Sequence, residues 1–423
     1  MFKLFQIIQR EINLIFKYKY LIYYKNRTMD KNVHQNCYDY IQSNNILDLV
    51  SFNLQNKPMI ESIQTHTIEG ILQVYQLLLE DKSNDIQLAV NYYVHQYVNS
   101  YINEYVINQL NYNRRKQKVL QLKQIKLPEQ RSVEWFQMRK NVLTASSFAA
   151  ALGKCHYTSR EQLILDKVSD VPKPYVSNPI TEWGVKYEEI ATKFYERLKN
   201  VNILEFGLIK HPDFPIFGAS PDGICSENSP PELIGRMLEI KCPPKRKFTK
   251  SVPKNYMYQM QGQLECCDLD ECDFLQVKLE EYSDFDEYLK DTNSEPGQTK
   301  NGLPKGCVVT YRDLFSEKNM YLYPELYESD QYYIDWEKNQ KQWIQENEKE
   351  YYETKWFCIT RYECTLVKRD RSFWNDAMPE IIRFWEDVDY YKQHGTESLE
   401  KTVESKRYKK PVTFIDTKEC MID

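Results

Sequence analysis

Ser220-Pro221-Asp222-Gly223 and, further along, Met237-Leu238-Glu239-Ile240-Lys241 are the two stretches on which the reading of this chain turns. An extended strand alternates its side chains between two faces, so Leu238 and Ile240 point one way and Glu239 and Lys241 the other. A carboxylate and an ammonium sharing one face of a buried strand have two readings. One is an internal ion pair; the other is a metal ligand beside a group that handles water. The chain is rich in both residue types, so Glu-x-Lys alone decides nothing. The first stretch follows an apolar run at Ile216–Ala219, and Pro-Asp-Gly is an ordinary turn that needs no function. A hairpin returning from that turn, however, brings Asp222 near Glu239. Asp plus Glu-x-Lys on adjoining strands supplies what phosphodiester hydrolysis requires. Hard oxygen ligands hold Mg²⁺, the ion polarises the phosphate and activates water, and a lysine orients that water or stabilises developing charge. The backbone carbonyl of Ile240 is a further candidate ligand.

Upstream, a helix expected from about Trp183 to Lys199 runs its apolar face through Tyr187, Ala191, Phe194, Tyr195 and Leu198. Glu188 borders that face, while Glu189, Lys193 and Glu196 face water. A carboxylate there is costly unless paired or metal-bound, and a boundary salt bridge is the simpler reading. Gly184, one turn earlier, permits close backbone approach. A helix is expected over Ala145–Leu152, ended by Gly153, and another from Pro253 to about Cys266. Strands are expected near Ile203–Ile209, Ile216–Ala219, Arg236–Lys241, Phe274–Leu279, Val308–Tyr311 and Trp356–Lys368. A loop spans Asn293–Gly306 and a final helix follows Pro379. This order predicts an α/β (α+β) unit, a mixed central sheet flanked by helices. Residues 30 to about 125 read as helical, with apolar spacing through Ile71, Leu72, Tyr75, Leu78 and Leu79, then Tyr93, Val94, Tyr97, Tyr101 and Tyr105. The organisation expected is therefore a helical N-terminal extension over 1–125, the main domain over 126–395 with an insertion near 290–306, and a tail over 396–423.

Hydrophobic residues make up 42% and charged residues 28%, a globular composition rather than a disordered or membrane one. The net charge of -5 excludes a bulk-basic nucleic-acid binder. It leaves two local strips without acidic residues: Arg114, Arg115, Lys116, Lys118, Lys123 and Lys126, then Lys245, Arg246, Lys247 and Lys250. Either strip alone reads as solvated surface; the second gains weight by directly following Lys241. Eleven cysteines, an odd number without framework spacing, point to an intracellular, reducing compartment, cytoplasm or nucleus. Cys266, Cys267 and Cys272 cluster, but an iron–sulfur site there needs a fourth thiolate from elsewhere. The apolar segment Phe2–Tyr24 is interrupted by Lys3, Arg10, Glu11, Lys17 and Lys19, too often for a spanning helix, and lacks a cleavage site; Met29 is an alternative start.

In order along the chain stand Glu134-Trp135 with Arg139, Thr144-Ala145-Ser146, Trp183-Gly184 with Glu188, Ser220-Pro221-Asp222-Gly223, Glu239-Ile240-Lys241-Cys242-Pro243, and Tyr256 with Gln259 and Gln261. This set resembles the YqaJ-like viral recombinase and phage lambda exonuclease family of the PD-(D/E)xK nucleases over roughly residues 130 to 280. The resemblance implies a restriction-endonuclease-like core with Glu188, Asp222 and Glu239 as metal-binding carboxylates and Lys241 as the catalytic lysine. It also implies a pocket for a terminal 5′-phosphate at Arg139 and Ser146, and Tyr256 and Gln259 lining the active site from a helix. The activity implied is Mg²⁺-dependent 5′-to-3′ digestion of double-stranded DNA ends, with Mn²⁺ as a substitute ion. A single-strand annealing protein is the implied partner, and a large DNA virus is one source that fits. The Asp222-to-Glu239 connection is longer than in the phage enzyme, and the N-terminal region and the Gly297–Gly306 loop lack counterparts there, so neither an oligomeric ring nor strict exonuclease behaviour carries over. The rival readings are a structure-specific endonuclease on the same site, a catalytically inactive DNA-binding protein, and a metalloprotein built on the cysteine cluster.

Overall fold

The computed structural model describes residues 29–80, 82–128, 130, 132–169, 178–245, 248, 251–313 and 318–409. The Phe2–Tyr24 segment and most of the second basic strip lie outside them. The chain divides into two compact units, 1–115 and 116–423, a division falling some ten residues before the expected boundary near 125.

In the first unit α1 (Met29–Ser43), α2 (Ile46–Phe52), α3 (Lys57–Leu78) and the start of α4 (Asn84–Lys123) enclose their own core. Ile41, Val50, Ile71, Val94, Val98 and Ile102 are buried there, recurring at the spacing of one helix face. Leu78, the last residue of α3, is exposed, while Leu79 just after it is buried.

In the second unit a short helix α5 (Val133–Lys140) leads into β1 (Leu143–Thr144), a 3-10 turn at Ala145–Ser147, α6 (Phe148–Ala151) and α7 (Arg160–Val168). The single helix expected over Ala145–Leu152 is thus a turn plus four helical residues, closed by Gly153 at φ 66°. Helix α8 (Pro179–Lys199) is strongly specified at both ends. Asn178 caps it by accepting from Ile180 N and Thr181 N, proline occupies its first turn, and Asn200 leaves it in the left-handed conformation. Its buried face is Tyr187, Ile190, Ala191, Phe194 and Tyr195; Leu198, expected there, is 39% exposed.

Strands β2 (Ile203–Leu204), β3 (Ile209–Lys210), β4 (Phe217–Ala219), β5 (Gly223–Cys225), β6 (Met237–Lys241) and β7 (Glu271–Glu281) follow, with α9 (Lys254–Cys267) between the last two. The strand expected over Ile203–Ile209 is split between two sheets. Its break falls at Gly207, where a Cβ would stand 2.3 Å from the Pro128 carbonyl oxygen. After α10 (Phe285–Lys290) come β8 (Lys305–Arg312), β9 (Asn319–Leu322), α11 (Asp330–Glu346), β10 (Glu350–Lys368), α12 (Arg371–His394) and α13 (Glu397–Lys409). Pro379 lies inside α12 rather than before it, because Asp370 starts the helix earlier by accepting from Ser372 N and Phe373 N. Residues 397–409, expected as tail, form α13, and α10, β9 and α11 add elements the sequence reading left out.

The architecture is mixed α/β, a curled mixed sheet flanked by helices. A seven-stranded sheet runs β2-β5-β6-β7-β10-β8-β9, and a smaller sheet runs β1-β4-β3. In the large sheet β6 and β7 are parallel, joined by the α9 crossover, and every other pairing is antiparallel. Leu238 and Ile240 pack with Tyr187, Ile190, Ala191 and Phe194 of α8, together with Leu275 and Val277. Helix α9 approaches β4 closely: a Cβ on Gly262 would stand 2.8 Å from the Phe217 ring.

Candidate active site

Strand β6 sits between β5 and β7, and its register decides what meets what. Gly223 pairs antiparallel with Leu238, so the next step of the ladder places Asp222 beside Glu239. The Ile240 N–H donates to Asp222 Oδ2 at 2.6 Å, which ties the turn carboxylate to the strand carrying Glu239 and Lys241. The Ser-Pro-Asp-Gly turn and the Glu-x-Lys strand are therefore neighbours, as the sequence implied.

Alternation along β6 holds. Leu238 and Ile240 face α8, while Glu239 meets α9. Glu239 is fully buried, and Lys241 Nζ stands 2.9 Å from its Oε1. Oε1 is therefore held by this ion pair alone, while Oε2 meets a donor on α9. Both readings of the pair survive: it is an internal ion pair, and a metal ligand beside a lysine would look the same. Lys241 Nζ also lies 5.1 Å from the Tyr256 ring centroid, and Tyr256 packs against Phe274, the β7 partner of Glu239.

Glu188 is part-buried on α8, on the other face of the sheet from Glu239's contact with α9. Its charge is felt at Asp222 and at Cys242. Burial first, then Glu239 and Glu188, push the Asp222 carboxyl well above the usual range, against the opposing pull of Lys241 and the Ile240 N–H. Among the described residues nothing approaches within 4 Å of a Cβ built on Gly184, so none of them makes the close backbone contact that this glycine permits.

As the side chains stand, no three described His, Cys, Asp or Glu residues converge closely enough to hold an ion. The donor chemistry nevertheless fits a hard divalent cation. Asp222 is destabilised by two like charges, and Glu239 Oε1 is buried with the Lys241 ammonium beside it and no aligned hydrogen bond. A cation between them would relieve both. Asp222 and Glu239 are the side chains best placed to hold it, with Glu188 and the Ile240 carbonyl as further oxygens.

Arg139 and Ser146 come together, with Arg139 Nη2 donating to Ser146 Oγ at 3.3 Å. The guanidinium also lies over the Trp135 ring at 4.4 Å. Thr144 Oγ1 is 3.2 Å from the hydroxyls of both Ser146 and Ser147. Lys167 Nζ donates to the carbonyls of Arg139 and Val142, each at 2.7 Å. Burial, then the Arg139 charge, lower its pKa to about 8. Ser146 gains little from a helix dipole, because only one 3-10 turn and four helical residues surround and follow it. What remains is a cluster of cations and hydroxyls.

On α9, Gln259 is buried between Tyr256 and Gln263 on one helix face. Gln261 points elsewhere, donating to the Lys368 carbonyl and accepting from Asp370 N. The residue that touches the acidic site is Gln263, whose Nε2 donates to Glu239 Oε2 at 2.7 Å and reaches the Ser220 carbonyl at 3.5 Å. Sequence reasoning missed it, although continuing the Tyr256–Gln259 face by one turn leads there.

The cysteine cluster is placed at the end of α9 and the start of β7. Burial raises all three thiols, Cys267 to about 12, and Cys266, Cys267 and Cys272 are all free. In the first basic strip, Lys118 pairs with Asp268 and Lys123 with Glu227, so part of its charge is neutralised internally. No described helix is long and apolar enough to cross a membrane.

Residues 134–270, which carry every carboxylate, cation and amide of this site, match the model of the YqaJ-like viral recombinase domain. Among its relatives, the uncharacterized protein R354 of Acanthamoeba polyphaga mimivirus is 31% identical over 327 residues, covering 70% of this chain and 59% of that one. A protein of African swine fever virus (strain Badajoz 1971 Vero-adapted) is 27% identical over 161 residues, 32% of this chain and 46% of that one. The chain thus spans about half to three-fifths of the length of these relatives. Among solved structures, the alkaline exonuclease LHK-Exo from Laribacter hongkongensis matches with TM-score 0.36 at 19% identity, over 65% of this chain and 99% of that one. A phage related exonuclease from Haemophilus somnus 129PT matches with TM-score 0.31 at 15% identity, over 61% and 96%. Overlaps this loose assign no activity.

Proposed function

We propose that the chain is a metal-dependent DNA exonuclease that hydrolyses phosphodiester bonds at double-stranded ends, in the 5′-to-3′ direction. The observation carrying this reading is the Ile240 N–H to Asp222 Oδ2 bond, which holds Asp222 beside the Glu239-x-Lys241 strand. The YqaJ-like viral recombinase match supports the substrate class, and the large-virus relatives support a role in viral DNA recombination or replication. A single-strand annealing partner is carried by the sequence resemblance alone.

Mg²⁺, with Mn²⁺ as substitute, would polarise the scissile phosphate and lower the pKa of a water. Asp222 and Glu239 would hold it, and the chain's own groups do the rest. Lys241, beside Glu239 and over Tyr256, would orient the attacking water and stabilise charge on the phosphate oxygens. The Arg139–Ser146–Thr144 cluster supplies donors for a terminal phosphate, and that would anchor the end while bonds are cut. The test is digestion of end-labelled duplexes with Mg²⁺ present. Wild type should shorten linear DNA, while Lys241→Ala should lose at least about a hundredfold in rate, the scale of one lost charge-stabilising group. Unchanged digestion by Lys241→Ala would overturn the assignment.

A further inference from the structure

We infer that Gln263 is a positioning residue of the metal site, the amide that sets Glu239 relative to the turn presenting Asp222. This rests on the nuclease reading above. The Gln263 side chain is buried, and its Nε2 has two hydrogens and two acceptors within reach. These are Glu239 Oε2 at 2.7 Å on β6 and the Ser220 carbonyl at 3.5 Å, two residues before Asp222. One amide thus spans the two strand segments that supply the acidic groups. A primary amide suits this place because it donates to a carboxylate without neutralising it. A second ammonium there, added to Lys241 on Oε1, would compete with a cation, and a carboxyl would repel Glu239.

The consequence for Glu239 is specific. Oε2 is occupied by Gln263, and Oε1, buried and paired with the Lys241 ammonium at 2.9 Å, is the oxygen that an ion would share. Holding Oε2 fixes the carboxylate plane, so that Oε1 need not be ordered when the ion arrives. The same turn is held from its other side, where Trp135 Nε1 donates to Ser220 Oγ at 3.2 Å. Gly262, next in the chain, lets α9 come close enough to Phe217 for the amide to reach. Gln261, two residues away, makes two hydrogen bonds of its own to the end of β10 and its following segment, and neither involves the acidic site. It is the internal control.

The experiment measures Mn²⁺ affinity of the full chain by electron paramagnetic resonance, alongside thermal melting and duplex binding in EDTA. Gln263→Met keeps the volume and removes both donors. It should weaken Mn²⁺ binding about tenfold or more, the scale of a lost outer-shell partner, while leaving duplex binding in EDTA unchanged. Gln261→Met should lower the melting temperature and leave Mn²⁺ affinity as in wild type. Should Gln263→Met fail to fold, Gln263→Asn, which keeps the amide but withdraws it by one methylene, should show the same weakened binding. Wild-type Mn²⁺ affinity in whichever Gln263 variant folds overturns the inference and leaves the nuclease reading standing. Wild type that neither binds Mn²⁺ nor cuts DNA overturns the nuclease reading itself.

Discussion

Asp222 is where stability and chemistry pull in opposite directions. Its carboxyl is raised well above the usual range by burial and by Glu239 and Glu188, so without a cation the folded protein holds a proton there that the unfolded chain would release. For a group whose folded pKa is raised, the linked stability is fully present below the unfolded value. It is lost as pH rises from the ordinary carboxylate range through the higher folded value. In EDTA the melting temperature should therefore fall as pH climbs through that window. Asp222→Asn, which carries no charge to desolvate, should flatten the decline and melt higher than wild type at its alkaline end. The same variant should lose cleavage by about a thousandfold or more, since metal polarisation is worth several kcal/mol of barrier, yet bind duplex normally. Melting curves across pH with parallel rate measurements check both. A variant that cuts at near-normal rate would reduce Asp222 to a turn residue.

At the level of elements, α9 is the part on which the site depends, and a buried ion pair anchors its far end. Arg369, just past β10, grips Glu265 through both guanidinium ends and also reaches Asp268, with the Arg369 and Glu265 side chains only 6% and 5% exposed. Removing one partner strands a buried charge, so Arg369→Met should destabilise by about 3–5 kcal/mol, whereas the double variant with Glu265→Met should recover much of that. Urea unfolding of the two single variants and the double reads this directly; equal losses in Arg369→Met and the double variant would refute it. This element also marks the limit of what sequence alone conveys. Strand β6 was legible because a two-residue period separates Leu238 and Ile240 from Glu239 and Lys241, and α8 because Asn178, Pro179 and Asn200 mark its ends. In α9 the buried groups include Gln259, Gln261, Gln263 and Glu265, types that ordinarily face solvent. The partners of the last three lie on β6, at Ser220 and at or beyond the end of β10, far away in sequence, so the helix face shared with Tyr256 and Gln259 is the one local hint that separates Gln263 from Gln261. The shortened helix after Thr144 and the early start of α12 were hidden for a related reason: caps and turns are settled by single hydrogen bonds, not by periodicity.

On the scale of the whole molecule, a net charge of -5 means that DNA is not held by a uniformly basic surface. The first basic strip spends Lys118 and Lys123 on Asp268 and Glu227. Recognition must then be local, and the Arg139 cluster is a built candidate. A guanidinium, three hydroxyls and the nearby Lys167 ammonium are arranged within one short stretch of fold. A terminal phosphate carries roughly −2 against −1 for an internal diester and has one more free oxygen, so such a cluster should select ends over interiors. Linear duplex with a 5′-phosphate should be digested fastest, 5′-hydroxyl duplex slowly, and covalently closed circles not at all. Arg139→Ala should slow the phosphorylated substrate by about 1.5–3 kcal/mol, the worth of a hydrogen bond to a charged group, and bring it close to the rate on hydroxyl ends. The competing account makes Arg139 a brace for α5, since its guanidinium covers Trp135 and its carbonyl accepts from Lys167. In that case the substitution would lower the melting temperature and slow both end types alike. Equal wild-type rates on phosphorylated, hydroxyl and closed-circular DNA would discard end recognition altogether and leave an endonuclease on the same carboxylates.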